Sequence, residues 1–361
     1  MALLFFDGFE TYASTATMTS GLEDVYDLHD GVGTSEVSIV PSSRITGGQA
    51  MQVSTSNSFD SGGNPAQGPQ IPLSGLGSTD TWIFGVAVKV SGLGVAGSVR
   101  PIFELLDSEG VPTVALRLNV DGDLTVDRVN SFSTVITLDT AAAVITDTAW
   151  HYLEWKVKIN NVTGTWNVHL DEVEIMDGSG NTDQQNAQRA VHLRFGHIST
   201  KTITYDDLYI LDTTGTINND YLGDVLVQRL RPDGPVTSQF TLFGGATNWE
   251  SVNELGEDDD TTYVESNAVA QRDLYTYEDL PTATSGIFGV VAKPVLRKSD
   301  IGSRTYKLFC SSSAFEDETA TLYPANSYVR QAKIFETDPA TGDLWTDGGV
   351  NRAQFGVEIV S

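Results

Sequence analysis

Four carboxylates stand close together near the middle of the chain, at Asp171, Glu172, Glu174 and Asp177. Two carboxylates held at a defined separation can cleave a glycosidic bond, so this cluster raises the hypothesis of a glycoside hydrolase. Side chains alternate between the two faces of a strand, which sets Glu172 and Glu174 opposite the apolar residues around them. This pattern favours charges that face solvent at a strand edge, and we expect no catalytic role for them.

A second acidic run, Glu257 followed by Asp258, Asp259 and Asp260, could bind calcium, which prefers several oxygen ligands. The run lacks the spaced Asp, Asn and Gly pattern of a calcium loop, so a solvated turn is the other interpretation. We therefore expect no cofactor, with Ca²⁺ at these three aspartates as the alternative.

Four aromatic residues are candidates for contact with a glycan, because a sugar ring stacks on an exposed aromatic side chain. The alternation of the sequence places Tyr152 on a polar strand face, and the other three lie in expected loops or short strands. Burial in a core is the competing interpretation, since aromatic side chains bury large areas. The candidates are Tyr152, Trp249, Tyr263 and Trp345.

The remaining reactive residue types form no recognisable constellation. His151 falls on an apolar strand face, and His192 and His197 have no metal-site spacing. Cys310 is the only cysteine, which excludes an intramolecular disulfide and is typical of a small buried side chain. No phosphate-binding glycine loop or nucleophile motif is present. We therefore expect that this protein is not an enzyme.

The composition of the chain limits the kinds of partner that it can bind. The chain has 361 residues, with 48 acidic against 21 basic side chains and a formal net charge of −27. A nucleic-acid interface needs clustered Lys and Arg, so we expect no nucleic-acid partner. No apolar stretch approaches the roughly 20 residues of a membrane span, and the start lacks the features of a signal peptide. We expect synthesis in a cytoplasm and no membrane association.

The elements that would position these residues are strands. From Trp150 to Ile175, apolar and polar residues alternate across two turns, which predicts a three-stranded meander. FFDGFETY near the start and ITYDDLYILD at Ile203 to Asp212 add an opening and a closing strand. Together these segments resemble the concanavalin-A-like or laminin-G-like jelly roll over about residues 1–214. The resemblance implies a β-sandwich whose first and last strands are neighbours.

The second half is again rich in strands. We expect a linker at 214–220 between an N-terminal sandwich, 1–213, and a second β-sandwich, 221–361. We also expect a long hairpin that joins Ile287 to Arg297 with Tyr306 to Phe309. The order GDVLVQRLRPDG, EDDDTTYVES, DLYTYEDLP and FGVEIV resembles virion proteins of tailed phages. The predicted fold class is all-β with two β-sandwich domains.

The resemblance implies a structural component of a tailed-phage virion, displayed as a head decoration, tail or fibre protein. It would be made in the bacterial host cytoplasm and located in the virion. Its expected partners are other virion proteins, and it would be a homo-oligomer with a trimer as the expected state. The polar loops 54–77 and 242–260 would offer contact surface. Two alternatives stay open: an adhesin that binds a host surface glycan, and a glycoside hydrolase.

Overall fold

The computed structural model describes residues 2–14, 16–17, 21–27, 37–54, 68–77, 79–93, 100–129, 135–183, 189–196, 201–281 and 284–361. These residues divide into two compact units, Met1–Val227 and Gln228–Ser361. Regular structure in them is almost entirely β, which confirms the all-β prediction. No helix in this part of the chain is long and apolar enough to span a membrane. His197 and residues 55–67 of the loop at 54–77 lie outside the described residues.

The first unit is built from short strands joined mainly by turns. Its strands are β1 Leu3–Asp7, β2 Val37–Val40, β3 Ala50–Val53, β4 Gln70–Pro72, β5 Thr81–Val90, β6 Arg100–Leu106, β7 Pro112–Leu118, β8 Leu124–Val129, β9 Val135–Ala141, β10 Trp150–Lys158, β11 Gly164–Leu170, β12 Val173–Gly180, β13 His192–Phe195 and β14 Ile203–Asp212.

Two antiparallel sheets contain all of these strands. The larger sheet has the order β12-β11-β10-β5-β14-β3-β2, and β1 also pairs with β14. The smaller sheet has the order β4-β13-β6-β7-β8-β9. The meander β10-β11-β12 and the pairing of the first strand with the closing strand are both as predicted, with Phe6 opposite Tyr209. The first unit is therefore a jelly-roll sandwich.

The hydrophobic core lies between the two sheets. From the larger sheet, Leu153, Trp155 and Val157 point inward, as the alternation of β10 predicts. From the smaller sheet, Phe103 and Phe195 meet them, and the rings of these two pack edge to face at 5.5 Å between centroids. Burial of these large side chains is the main driving force for this unit.

The other face of the larger sheet is also covered, which the sequence did not predict. Residues 221–227 pack on it and belong to the first unit, although the domain boundary was expected near residue 220. The backbone N–H of Gly223 donates to Glu154 Oε1 at 2.9 Å, and that of Val227 donates to Asp207 Oδ1 at 2.7 Å. Both carboxylates are buried. We call residues 221–227 the covering segment.

The second unit combines one five-stranded sheet with three strand pairs. Its strands are β15 Pro232–Ser238, β16 Thr241–Phe243, β17 Tyr263–Glu265, β18 Arg272–Tyr277, β19 Val290–Ala292, β20 Val295–Leu296, β21 Tyr306–Ser312, β22 Phe315–Glu318, β23 Val329–Arg330, β24 Lys333–Phe335 and β25 Gln354–Ile359, and it has one short helix, α1 Asp347–Val350.

The five-stranded sheet has the order β15-β18-β25-β21-β22. The predicted hairpin between 287–297 and 306–309 is wrong, because β19 pairs with β24, β20 with β23, and β21 with β22 and β25. Turn residues at 298–303 suggested a local connection, whereas the strands on either side pair with more distant parts of the chain. Cys310 is buried in this unit, and burial raises the pKa of its thiol to about 12.

Candidate binding site

A line of polar side chains crosses the outer face of the six-stranded sheet. The strand register aligns Gln70 with Arg194, Arg194 with Glu104, Glu104 with Ala115, and Ala115 with Asp127. The residues that alternate with them along their strands belong to the core, so this line faces away from it. Arg117 lies two residues beyond Ala115 on the same face.

We call Gln70, Arg194, Glu104, Arg117 and Asp127 the polar row. Arg194 donates two hydrogen bonds to Oε2 of Glu104, one from Nε at 2.9 Å and one from Nη2. Arg117 Nη2 donates to Oε1 of the same carboxylate at 3.1 Å. Arg117 Nε lies 3.6 Å from Asp127 Oδ2, which is an ion pair but too long for a hydrogen bond. Charges therefore alternate in sign along the row.

The row is enclosed, yet several of its polar atoms are unused. Gln70, Arg194 and Asp127 are 2%, 5% and 1% exposed. Within the described residues, Gln70 Nε2, Arg194 Nη1, Arg117 Nε and Asp127 Oδ1 have no hydrogen-bond partner. Leaving one such atom unsatisfied costs about 1–3 kcal/mol. Unused buried polar atoms in a folded protein need an explanation, and binding of a polar ligand is one.

His192 borders the row. It lies two residues before Arg194 on β13 and so on the same sheet face, opposite Leu106 in the register. Its ring is half-buried, and its Nδ1 has no hydrogen-bond partner in the described part of the chain. Arg117 is also partly exposed, so solvent reaches the row at these two residues. The sequence analysis found His192 unsuited to a metal and assigned it no other role.

Sequence analysis missed the polar row, although a signal was present. Glu104 interrupts the apolar run from Ile102 to Leu106, and Arg194 stands between Leu193 and Phe195. A charged residue inside an apolar strand predicts either a buried ion pair or a functional site. The carboxylates that attracted attention were clustered in sequence, whereas the row is assembled from five strands.

The four aromatic candidates are distributed differently from the prediction. Tyr152 and Trp345 are 2% and 3% exposed, so we correct the expectation that they face solvent. Tyr152 donates its hydroxyl to the carbonyl of Asp207 at 3.0 Å, on the sheet face that the covering segment closes. The indole of Trp345 donates to the carbonyl of Phe335 at 2.8 Å within the core of the second unit. Neither presents a ring for stacking.

Trp249 and Tyr263 are half-buried. Trp249 begins a short 3-10 helix, and Tyr263 begins β17. Opposite Tyr263, the half-exposed ring of Phe243 stacks on it with 4.7 Å between ring centroids. These two candidates keep a partly accessible aromatic surface, so their contact with a glycan stays a prediction.

The acidic run of the second unit is engaged in local contacts. Asp258 accepts from the backbone N–H and hydroxyl of Thr262, and Asp260 pairs with Arg297 at 2.6 Å. Asp259 has a positive φ of 55° in the turn. Across the residues that the structure describes, no group of three or more His, Cys, Asp or Glu side chains is arranged to hold a metal ion. Calcium binding at this run is a prediction without a structural argument.

The carboxylates near residue 171 serve the β11–β12 turn. Asp171 and Glu172 have φ values of 51° and 66°, as the two central residues of a tight hairpin turn require. Asp171 accepts the backbone N–H of Tyr152 at 2.8 Å and contacts His151 Nδ1 at 2.7 Å. His151 is thus held between the carboxylates of Asp171 and Asp147 near the start of β10 rather than in the core, which corrects the sequence-based expectation.

A second group of buried carboxyls lies beside the covering segment. Burial raises the pKa of Glu10 to about 9, with a further contribution from the charge of Asp206. Burial likewise raises the pKa of Asp206 to about 6 and that of Asp207 to about 7. Arg44 donates to Asp207 Oδ2 at 3.1 Å and to the carbonyl of Val225 at 2.9 Å. This group fastens the covering segment, because Arg44 and Asp207 bond to Val225 and Val227 of that segment.

No protein-family model and no curated protein matches the chain. Solved structures do. The alginate lyase Aly36B is 13% identical, with 58% of this chain and 96% of that chain covered and a TM-score of 0.40. A GH131 β-glucanase catalytic domain from Podospora anserina is 11% identical over 60% and 98%, with a TM-score of 0.38. The galectin LEC-6 from Caenorhabditis elegans is 14% identical over 41% and 92%, with a TM-score of 0.29.

The jelly-roll fold rests on the strand order and pairings of the first unit. Among the matches are an alginate lyase and a β-glucanase catalytic domain, and this finding overturns the expectation that the protein is not an enzyme. The sequence argument relied on the absence of linear motifs, and a site assembled from several strands leaves no such motif.

Proposed function

We propose that the first unit is a carbohydrate-recognition domain and that the polar row binds the sugar. The observation that carries the proposal is the set of enclosed polar atoms without hydrogen-bond partners, which the described residues place on one sheet face. Ligand sites use a few precisely placed polar groups to fix the orientation of the ligand, and the row supplies such groups.

Sugar hydroxyls suit these atoms chemically. A hydroxyl both donates and accepts, so it can accept from Arg194 Nη1 or Gln70 Nε2 and donate to Asp127 Oδ1. Arg194, Gln70 and Asp127 all lie on strands, and the hydrogen bond from Arg194 to Glu104 restricts rotation of the Arg194 side chain. Little entropy is then lost when a ligand is bound, which favours affinity.

The virion role that the sequence suggested is the weaker candidate. The similar structures named above act on or bind sugars, as their names state, and none is a virion component. Display on a particle surface and recognition of a glycan are compatible, and the virion location, its protein partners and a trimeric state stay predictions. The proposal concerns what the first unit recognises.

Binding to an array of neutral and acidic glycans tests the proposal with the full chain. We expect at least one glycan to bind and Gln70→Met to weaken that binding about tenfold or more. Because Gln70 Nε2 has no partner in the described residues, the apolar side chain should leave the melting temperature unchanged or raise it. Lys158→Met, on the other sheet, is the matched control. Binding to no glycan, or equal binding by both variants, would refute the proposal.

The same samples show whether the protein cleaves the polysaccharide that it binds. Incubation of the protein with each bound polysaccharide, followed by measurement of new chain ends, separates recognition alone from recognition with cleavage. If ends are released, Glu104→Gln and His192→Asn are the variants to compare, because their side chains lie at the row and carry the groups able to move a proton.

A further inference from the structure

We propose that the polar row selects a neutral sugar with adjacent hydroxyls over a sugar that carries a carboxylate. The inference rests on the proposed function and specifies its ligand class. Its first support is the charge of the row. Arg194 and Arg117 supply two positive charges, and Glu104 and Asp127 supply two negative ones, so the formal charges cancel.

The two positive charges of the row are already paired with its two carboxylates. Glu104 receives hydrogen bonds from both arginines, and Asp127 forms an ion pair with Arg117. A ligand carboxylate would be a third negative charge on an enclosed face that holds only two positive ones. An uncompensated buried charge is strongly unfavourable, whereas a neutral hydroxyl adds none. The chain's net charge of −27 also repels an acidic polysaccharide at long range.

The second support is the type of the unused atoms. Arg194 Nη1, Gln70 Nε2 and Arg117 Nε are donors, and Asp127 Oδ1 is an acceptor. A carboxylate group placed against Asp127 accepts hydrogen bonds but cannot donate one. Two adjacent hydroxyls can accept from the donors and donate to Asp127 at the same time. A hydroxyl pair in this position therefore satisfies both kinds of atom, and a carboxylate group in its place does not.

Ala115 marks the place in the line where the side chain is shortest. It is the only small side chain in the line, between Glu104 and Asp127 in the strand register. The carboxylates on its two sides belong to Glu104 and Asp127. Arg117, which lies two residues further along β7, contacts both of them. A hydroxyl pair that reached Asp127 from the Arg194 side would pass over this residue.

Equilibrium binding of the full chain to neutral polysaccharides (a mannan, a β-glucan, a galactan and an arabinan) and to uronate polysaccharides (alginate and polygalacturonate) tests the inference. We expect at least one neutral polymer to bind more than tenfold tighter than either uronate polymer, with an affinity that hardly changes between low and high salt. Tighter binding of a uronate polymer that weakens with salt would overturn the inference and leave the proposed function standing. No binding to any polymer would overturn both.

Asp127→Asn gives a second, opposite readout. It removes the negative charge and replaces one of the two acceptor oxygens by an NH2 donor while it keeps the shape of the side chain. For a neutral diol, we expect binding to weaken tenfold or more because the charged acceptor is lost. For an anionic ligand, binding would tighten because repulsion is relieved, and this result would refute the inference. Ala115→Leu should abolish binding of the neutral polymer with the melting temperature within a few degrees of the parent, and unchanged binding would count against the assigned position.

Discussion

Arg44 and Asp207 are joined by a hydrogen bond of 3.1 Å although 163 residues separate them in the sequence. The same guanidinium lies over the ring of Tyr152, 5.2 Å from its centroid, and bonds to Asp224 of the covering segment. Asp207 in turn accepts the backbone N–H of Val227. One ion pair thus ties the loop after β2 to the closing strand and to the segment that covers it.

The stability of this arrangement should depend on pH. The raised pKa values of Asp206, Asp207 and Glu10 mean that the folded chain keeps protons that the unfolded chain releases near pH 4. The resulting stabilisation is complete below about pH 4 and is lost as the pH rises through about 6, 7 and 9. We expect the free energy of unfolding, measured by urea titration, to fall between pH 5 and pH 9.

The comparison that isolates this group is Asp207→Asn, which cannot lose a proton. The variant should flatten the pH dependence, and hydrogen exchange corrected for intrinsic rate should show less protection of the Val227 amide. Asp177→Asn, at an exposed carboxylate of β12, is the control and should behave as the parent. A parent protein whose stability rises from pH 5 to pH 9 would contradict the assignment.

Gly85 should not tolerate a side chain. The ring of Tyr209 on the neighbouring strand lies on it, and a Cβ at residue 85 would stand 2.0 Å from Tyr209 Cε1. We expect Gly85→Ala to lower the free energy of unfolding by about 1–3 kcal/mol through overpacking. Gly75→Ala, where no atom lies within 4 Å of the new Cβ, should be close to neutral. Because the clash needs both residues, the effects of Gly85→Ala and Tyr209→Ala should not add in a double-mutant cycle.

Both faces of β10 should be sensitive to truncation. Trp155→Ala removes a fully buried ring from the core and should cost about 3–5 kcal/mol. A place on the polar strand face, as the alternation of the sequence predicted, would make Tyr152→Ala clearly less costly. Tyr152 is instead buried under the covering segment, so we expect a loss of the same order. Thermal and urea unfolding of the two variants measure this directly. A near-neutral Tyr152→Ala would show that the covering segment contributes little to stability.

His151 should titrate above the ordinary range of histidine. Burial alone would lower its pKa, but hydrogen bonds to Asp171 and Asp147 outweigh burial and raise it. Its stabilising contribution is therefore present at low pH and is lost as the pH rises through the raised pKa. Proton NMR of the imidazole measures the pKa, which Asp171→Asn should lower while the asparagine keeps the positive φ of the turn. An unchanged pKa in that variant would show that Asp147 alone sets it.

The sequence by itself determined the fold class and much of the first sandwich. Alternation in β10 and β11 placed Leu153, Trp155 and Val157 in the core, and the closing strand Ile203–Asp212 has the predicted bounds. These features depend on side-chain periodicity and on turns, which are local properties of a chain. The turn at Asp171 is readable for the same reason.

Only the tertiary structure decided what lies on the outer sheet faces. Whether Tyr152 meets water depends on residues 221–227, which have no periodicity of their own and are held by Arg44 and two distant carboxylates, Glu154 and Asp207. Glu104 and Arg194 stand out in the sequence as charges inside apolar strands, but the polar row itself is assembled only by the register of five separate strands. Register between distant strands is set by the packing of the whole sandwich, which no single segment encodes.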